Sequence, residues 1–197
     1  MITIPFALLF GLLAYKFGKK IRKHNTKLYI AATLLALLIF IVRYKFKFAE
    51  PFIQGYLGLS FLYIVMFTGA LKDKSTLSKK FMAIRREYSI IGFIFLTPHA
   101  TNYLLEFLRG EIRFEWLGVI PFVIMIPLFI TSFMIFRKKF TFTTWKKIQN
   151  FAYIAYILIF VHLIIVAEFP NLAVYIVLFV PYIILKLMKE IKKRAIN

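Results

Sequence analysis

The sequence predicts an all-α integral membrane protein, a bundle of about seven transmembrane helices, and three observations predict it. The chain is 61% hydrophobic, with 24 Phe among 197 residues. Its mean hydropathy of +0.79 lies far above that of a soluble domain, which is about half apolar. The apolar residues fall in solid runs where the strands of a membrane barrel would alternate. Several runs approach the ~20 residues of helix, or about 17 at the short end, that cross the hydrocarbon core. Composition also excludes. With no Cys there is no disulfide framework, cysteine zinc site, iron–sulfur cluster or thiol catalysis. The formal charge of +19 would suit nucleic acid only on a polar, exposed basic face. Here the cations lie between apolar runs, so no nucleic-acid partner is expected.

Taken in order, the first predicted span is Met1 to Tyr15, a short run followed by Lys16, Lys19 and Lys20. A secretory signal places its positive charge ahead of the apolar stretch, so this run reads as an uncleaved first helix. The second span is Leu28 to Val42, the third Pro51 to Leu71 and the fourth Tyr88 to Leu108. The fifth is Trp116 to Phe136, the sixth Ile148 to Ala167 and the seventh, again short, Leu172 to Leu187. Trp116 and Trp145 fall at predicted interfaces, where indoles settle.

The connecting segments set the orientation. Lys16–Lys27, Lys72–Arg86, Arg137–Lys147 and the tail from Lys186 hold 22 of the 27 basic residues, and all four fall on one side of the predicted membrane. The other side holds Arg43, Lys45, Lys47, Arg109 and Arg113 with five of the eight acids. Short cytoplasmic loops collect Lys and Arg. The expectation is an N-terminus outside, a C-terminus in the cytoplasm and contact with membrane lipids throughout. No internal repeat or long linker divides the chain.

A polar residue inside a span is a functional candidate by default. Of the three histidines, His24 lies in a basic loop and reads as a solvated residue. His99 and His162 lie inside the fourth and sixth spans. At 1.5 Å per residue they sit ~18 Å and ~22 Å above the basic ends of their helices, a shared depth in the outer half. Two imidazoles at one depth on two helices suit axial ligation of one haem iron. The competing reading is that each ring satisfies its N–H on a neighbouring carbonyl or hydroxyl. Another metal is disfavoured, since no Cys, Asp or Glu lies at that depth to complete its ligand set. Around His99, residues Tyr88, Gly92, Phe95, Leu96, Tyr103 and Glu106 recur at spacings of three and four. Pro98 removes a backbone hydrogen bond just before the histidine.

The stretch Arg85-Arg86-Glu87-Tyr88-Ser89-Ile90-Ile91-Gly92-Phe93, followed by His99 and Tyr103-Leu104-Leu105-Glu106, resembles the ferric reductase-like transmembrane family. It is similar to the branch that supplies the haem-binding membrane subunit of the bacterial methionine sulfoxide reductase system. In both, a histidine follows the second Arg of a pair by thirteen residues. The later stretch from Trp145 to Tyr153, then His162, resembles the family's second histidine-bearing span. The resemblance covers roughly residues 28–190 and implies a six-helix haem-binding core over 27–197. The segment 1–26, one more helix and a basic loop, stands outside it.

The resemblance implies a b-type cytochrome of the bacterial cell (inner) membrane, with His99 and His162 as the haem-iron ligands and no residue catalytic by itself. The family's further histidine falls on Gln149, a poor ligand near the basic surface, so one haem b is expected. An outer-half haem would pass electrons to an extracytoplasmic acceptor or a partner reductase protein. The donor would be a quinol, FMN or a separate quinone or flavin reductase, because the chain carries no dinucleotide fingerprint. Arg85 and Arg86 read as a site for a flavin phosphate or acidic partner, or as topology residues among lipid headgroups. Arg109 and Arg113 would meet haem propionates, or Glu106, Glu111 and Glu115. The rival class is a cofactor-free transporter or an assembly scaffold. Transporters usually need ionisable or broken-helix sites near the midplane, and the spans offer little beyond the two histidines.

Overall fold

The computed structural model describes residues 2–196, so the predicted start of the first span at Met1 lies outside the described residues. Among the described residues, seven helices of 13 to 33 residues overlap the seven predicted spans, the third of which, Pro51 to Leu71, is split at Gln54 and Gly55. They are α1 (Thr3–Lys23), α2 (Asn25–Val42), α3 (Tyr56–Thr68), α4 (Thr76–Leu108), α5 (Trp116–Ile130), α6 (Phe142–Val166) and α7 (Asn171–Ile196). Short helical turns at Lys47–Ala49, Glu50–Ile53 and Met134–Arg137 connect them. Among the described residues there is no strand, as a lipid-facing chain requires when it must satisfy its backbone within each segment.

Local chemistry sets the ends. α1 stops at His24, whose N–H donates to the Lys20 carbonyl at 3.0 Å, and α2 starts at the next residue. Ser75 caps α4 by accepting from the Ser78 N–H, and Thr141 caps α6 by accepting from the Thr144 N–H, each at 3.2 Å. Such caps satisfy one of the four free N–H groups of a helix start. α5 carries Pro121 and Pro127 and ends where Thr131 Oγ1 donates to the Pro127 carbonyl (2.6 Å) and Ser132 Oγ to the Leu128 carbonyl (2.7 Å).

Several helices outrun their predicted spans. α4 has 33 residues, about 50 Å at 1.5 Å each, because Lys72–Arg86, expected as a loop, is helical from Thr76. α6 starts six residues ahead of Ile148, and α7 continues through the basic tail to Ile196. Hydropathy marks only the part of a helix inside lipid, while hydrogen bonding extends it into water. α5 is the reverse: the run to Phe136 breaks after Ile130, where the Ser132 and Phe133 N–H groups tighten to the carbonyls three residues back and Phe133 turns extended.

α3 and α4 form the centre. A Cβ on Gly58 would stand 2.8 Å from the Leu96 backbone nitrogen, and one on Gly92 would stand 3.0 Å from Phe61 Cβ. Small residues let helix backbones approach in a membrane, where packing is the main attraction. α1 and α2 pack on α4 from one side; α5 pairs with α6, and α7 lies against α6. Of the apolar window in Lys47–Thr68, the stretch that ends in α3, 61% is buried, against 11% in α6 and 17% in α2, so these last two present their side chains to lipid. Four stretches, Asn25–Val42, Lys47–Thr68, Phe142–Val166 and Asn171–Ala195, are long and apolar enough to cross a membrane. Together with the family shown below they make this a multi-pass membrane protein.

The chain reversals gather the basic segments at one end of the bundle, called here the basic end. Lys189 of α7 donates to the Gly69 and Leu71 carbonyls and pairs with Asp73 at 2.7 Å. The opposite, acidic end holds Glu50, Glu106, Glu111 and Glu115.

Candidate functional site

Both intramembrane histidines stand toward the acidic end, and a different segment braces each. His99 belongs to α4. Its Nδ1 lies 2.8 Å from the Ile53 carbonyl, in the short turn between α2 and α3. A carbonyl only accepts, so Nδ1 carries the proton and donates, which leaves the Nε2 lone pair free. The turn ends at Gly55 with φ +77, and a Cβ there would stand 3.2 Å from His99 Cγ. The left-handed conformation costs a side-chain-bearing residue roughly 1–2 kcal/mol. Gly55 thus makes the turn that presents the Ile53 carbonyl, and its bare backbone admits the ring. Tyr103, one turn further along α4, places its ring centroid 4.8 Å from that of His99.

His162 belongs to α6. Gly118, in the first turn of α5, lies beneath its ring: a Cβ there would stand 3.2 Å from Cε1 and 3.6 Å from Nε2. The Nδ1 of His162 is buried and has no hydrogen-bond partner among the described residues. An orphaned polar atom in an apolar interior costs about 1–3 kcal/mol and calls for an explanation outside the chain's own groups.

His99 and His162 lie within electrostatic range of one another, although α4 and α6 scarcely touch. Tyr56 and Glu115 lie near Tyr103, and Glu115 is also near His162. Tyr56 shares a side-chain hydrogen bond with Tyr175 of α7. The two imidazoles therefore face a common region between helices that do not fill it themselves. Among the described residues, no three His, Cys, Asp or Glu side chains group as metal ligands. A group that takes its remaining ligands from its own ring, needing only two axial nitrogens, fits this donor set. His99 offers a fixed tautomer, and the orphaned nitrogen of His162 marks a ring that the chain leaves incomplete.

Beside His99 a cavity of about 170 Å³ opens at the acidic end. Buried Asn102 organises it. Arg43 Nε donates to Asn102 Oδ1 (2.9 Å), Tyr44 Oη donates to the same oxygen (3.3 Å), and Asn102 Nδ2 donates to Glu106 Oε1 (2.7 Å). The Arg43 guanidinium also stacks 3.9 Å from the Phe40 ring centroid. Arg109 meets Glu111 at 3.9 Å, both half exposed.

The other candidates lie elsewhere. His24 is exposed between α1 and α2. Gln149 is at the basic end, where Nε2 donates to Thr131 Oγ1 (3.1 Å) and to the Leu128 carbonyl (3.4 Å). Arg86 pairs with Glu87, whose side chain is only 1% exposed. Sequence reasoning missed Ile53, Gly55, Gly118 and Asn102. The glycines left a trace: Gly55 just before an apolar run and Gly118 two residues after Trp116 both interrupt greasy sequence. The Ile53 carbonyl left none, since any residue supplies one.

A family model described as the ferric reductase like transmembrane component matches residues 29–160. The match takes in His99, stops two residues before His162 and leaves α1 outside. An uncharacterized protein of Treponema pallidum (strain Nichols) is 24% identical over 206 residues, covering 89% of this chain. The chain spans 57% of that relative's length.

Proposed function

The chain belongs to the ferric reductase-like transmembrane family, and from that premise we propose that it is a membrane b-type cytochrome holding one haem between His99 and His162. The observation that carries the reading is the pair of imidazoles at one end of the bundle, one locked as the Nδ1–H tautomer by Ile53 and the other with an orphaned buried nitrogen. Haem, when bound, would supply reversible one-electron chemistry, and His99 and His162 would be the residues that hold its iron.

The chain's own groups provide position and insulation. The Ile53 carbonyl accepts the His99 Nδ1 proton and keeps Nε2 as the donor atom. Gly55 and Gly118 let backbone close against the two rings. Tyr103 packs beside the His99 ring, and the polar cavity of Arg43, Asn102 and Glu106 adjoins it at the acidic end. Gln149 replaces the imidazole that an inner haem would need, which supports a single haem. By the positive-inside rule the basic end is cytoplasmic, in a bacterial inner membrane, and the histidines then face an extracytoplasmic acceptor or partner reductase. The donor is a separate quinol, flavin or reductase partner.

The test is an oxidised and dithionite-reduced absorbance spectrum of the detergent-purified chain, with haem quantified. One low-spin b-type haem per chain is expected. His162→Ala and His99→Ala should each lose it while still inserting in the membrane. Full haem in either variant, or none in the parent chain with haem in ample supply, overturns the proposal and leaves the transporter or scaffold reading.

A further inference from the structure

A second cavity, of about 370 Å³, opens at the basic end among α3, α4, α5 and α6. Its floor is apolar, including Leu62, Phe93, Leu128 and Phe129, and three guanidiniums line it: Arg85, Arg86 and Arg137. Glu87 neutralises Arg86. Arg85 and Arg137 are half-buried, and among the described residues neither has a carboxylate within 4.0 Å. Arg85 shares a side-chain hydrogen bond with the Tyr156 hydroxyl. Arg137 donates to the Phe140 carbonyl at 3.1 Å and stacks 4.5 Å from the Trp145 ring centroid. Each guanidinium carries five N–H donors in a fixed fork, so most of their capacity is unused at the mouth of an apolar recess.

Partly desolvated cations without a counter-charge are costly, and forked guanidinium donors match phosphate oxygens in pairs. Met82 and Met134 also line the cavity and are 52% and 47% exposed, which leaves it open at the basic end, where the headgroup layer of a membrane would lie. A ligand that satisfies both features has an anionic head and an apolar body. We propose that this cavity binds a phosphate-headed amphiphile, with the phosphate between Arg85 and Arg137 and the body on the Leu62–Phe93–Phe129 floor. Basic pockets between transmembrane helices accept lipid headgroups in this manner. The Gln149 amide, held by Thr131 and Leu128, keeps its Oε1 acceptor for a hydroxyl on the ligand. This site stands independently of the histidine pair.

The experiment is native mass spectrometry of the full chain released from vesicles of phosphatidylcholine and phosphatidylglycerol, with and without millimolar inorganic phosphate. The chain should retain one phosphatidylglycerol, and Arg85→Gln or Arg137→Gln should cut the retained fraction roughly tenfold, the loss of one charge-assisted interaction. Lys192→Gln, an exposed cation remote from the cavity, should leave it unchanged. Retention that resists inorganic phosphate assigns the site to lipid. Displacement of the lipid by phosphate assigns it to a free phosphate compound. If a Gln variant fails to fold, Arg85→Lys and Arg137→Lys keep the charge, lose the fork and should still lower retention severalfold. No retained phosphate species, or retention indifferent to all four variants, overturns the proposal.

Discussion

Single atoms decide the histidine site. The His99 tautomer depends on one carbonyl, and that carbonyl is presented by a turn that only Gly55 closes without strain. Gly55→Ala should cost about 1–2 kcal/mol through its positive φ and push the new methyl against His99. The expected readout is a shifted low-spin haem signal in electron paramagnetic resonance and weaker haem retention; an unaltered signal would mean that the turn does not position the ring. Gln149→His tests the opposite end. It should leave the spectrum of the proposed haem unchanged or add a second haem, and loss of the first signal would mean that the proposed pocket is wrongly assigned. The placement of His99 and His162 within helices was legible in the sequence, where ionisable groups inside apolar runs stand out. Ile53 was invisible, because its contribution is backbone.

At the scale of elements, spans were legible and helix ends were not. Apolar runs locate where a helix meets lipid, and caps such as Ser75 and Thr141 decide where it starts beyond it. Removing the caps with Ser75→Ala and Thr141→Ala should each cost about 1 kcal/mol, seen as faster amide exchange in the first turns of α4 and α6. Gly58→Ala should be worse, about 1–3 kcal/mol by overpacking, since the new Cβ meets backbone of Leu96 at 2.8 Å. The pair between Asp73 and Lys189 pins α7 to the loop before α4. The Lys189 ammonium, by hydrogen bonding, holds the Asp73 carboxyl below its usual range. A depressed carboxylate contributes stability above its unfolded pKa of about 3.9 and loses it as pH falls through the lower folded value. The amide protection factors in the last turns of α7, taken against the intrinsic exchange rate at each pH, should therefore stay constant from neutral pH to about 5 and fall only in stronger acid. Asp73→Asn should lower them at neutral pH. A change in protection between pH 5 and 7 would assign the joint to another group.

For the whole molecule, class and charge were legible together. The runs of apolar residues named a membrane bundle, and the cations between them ordered its ends. What composition did not reveal is which helices form the centre. α3 and α4 look no more buried in sequence than α2, and only the Gly58 and Gly92 contacts, made by residues 34 positions apart, draw them together. The two cavities were hidden for the same reason, since each joins residues from several helices. Orientation is testable on a clean background, because the chain has no Cys. In intact cells an impermeant maleimide should label Glu111→Cys, and it should label Lys139→Cys only after permeabilisation. The reverse pattern would turn the bundle over and direct the histidines to the cytoplasm.

α4 is also a lever. Its guanidiniums and its imidazole are parts of one rod, and Pro98, lacking an N–H for the turn before it, is the compliant point next to His99. From Arg85 to Pro98 the arm is about 20 Å, so each degree of swing at the proline moves the far end by roughly a third of an ångström. Whatever leans on the basic end therefore works with a long mechanical advantage on the bond between His99 and Ile53.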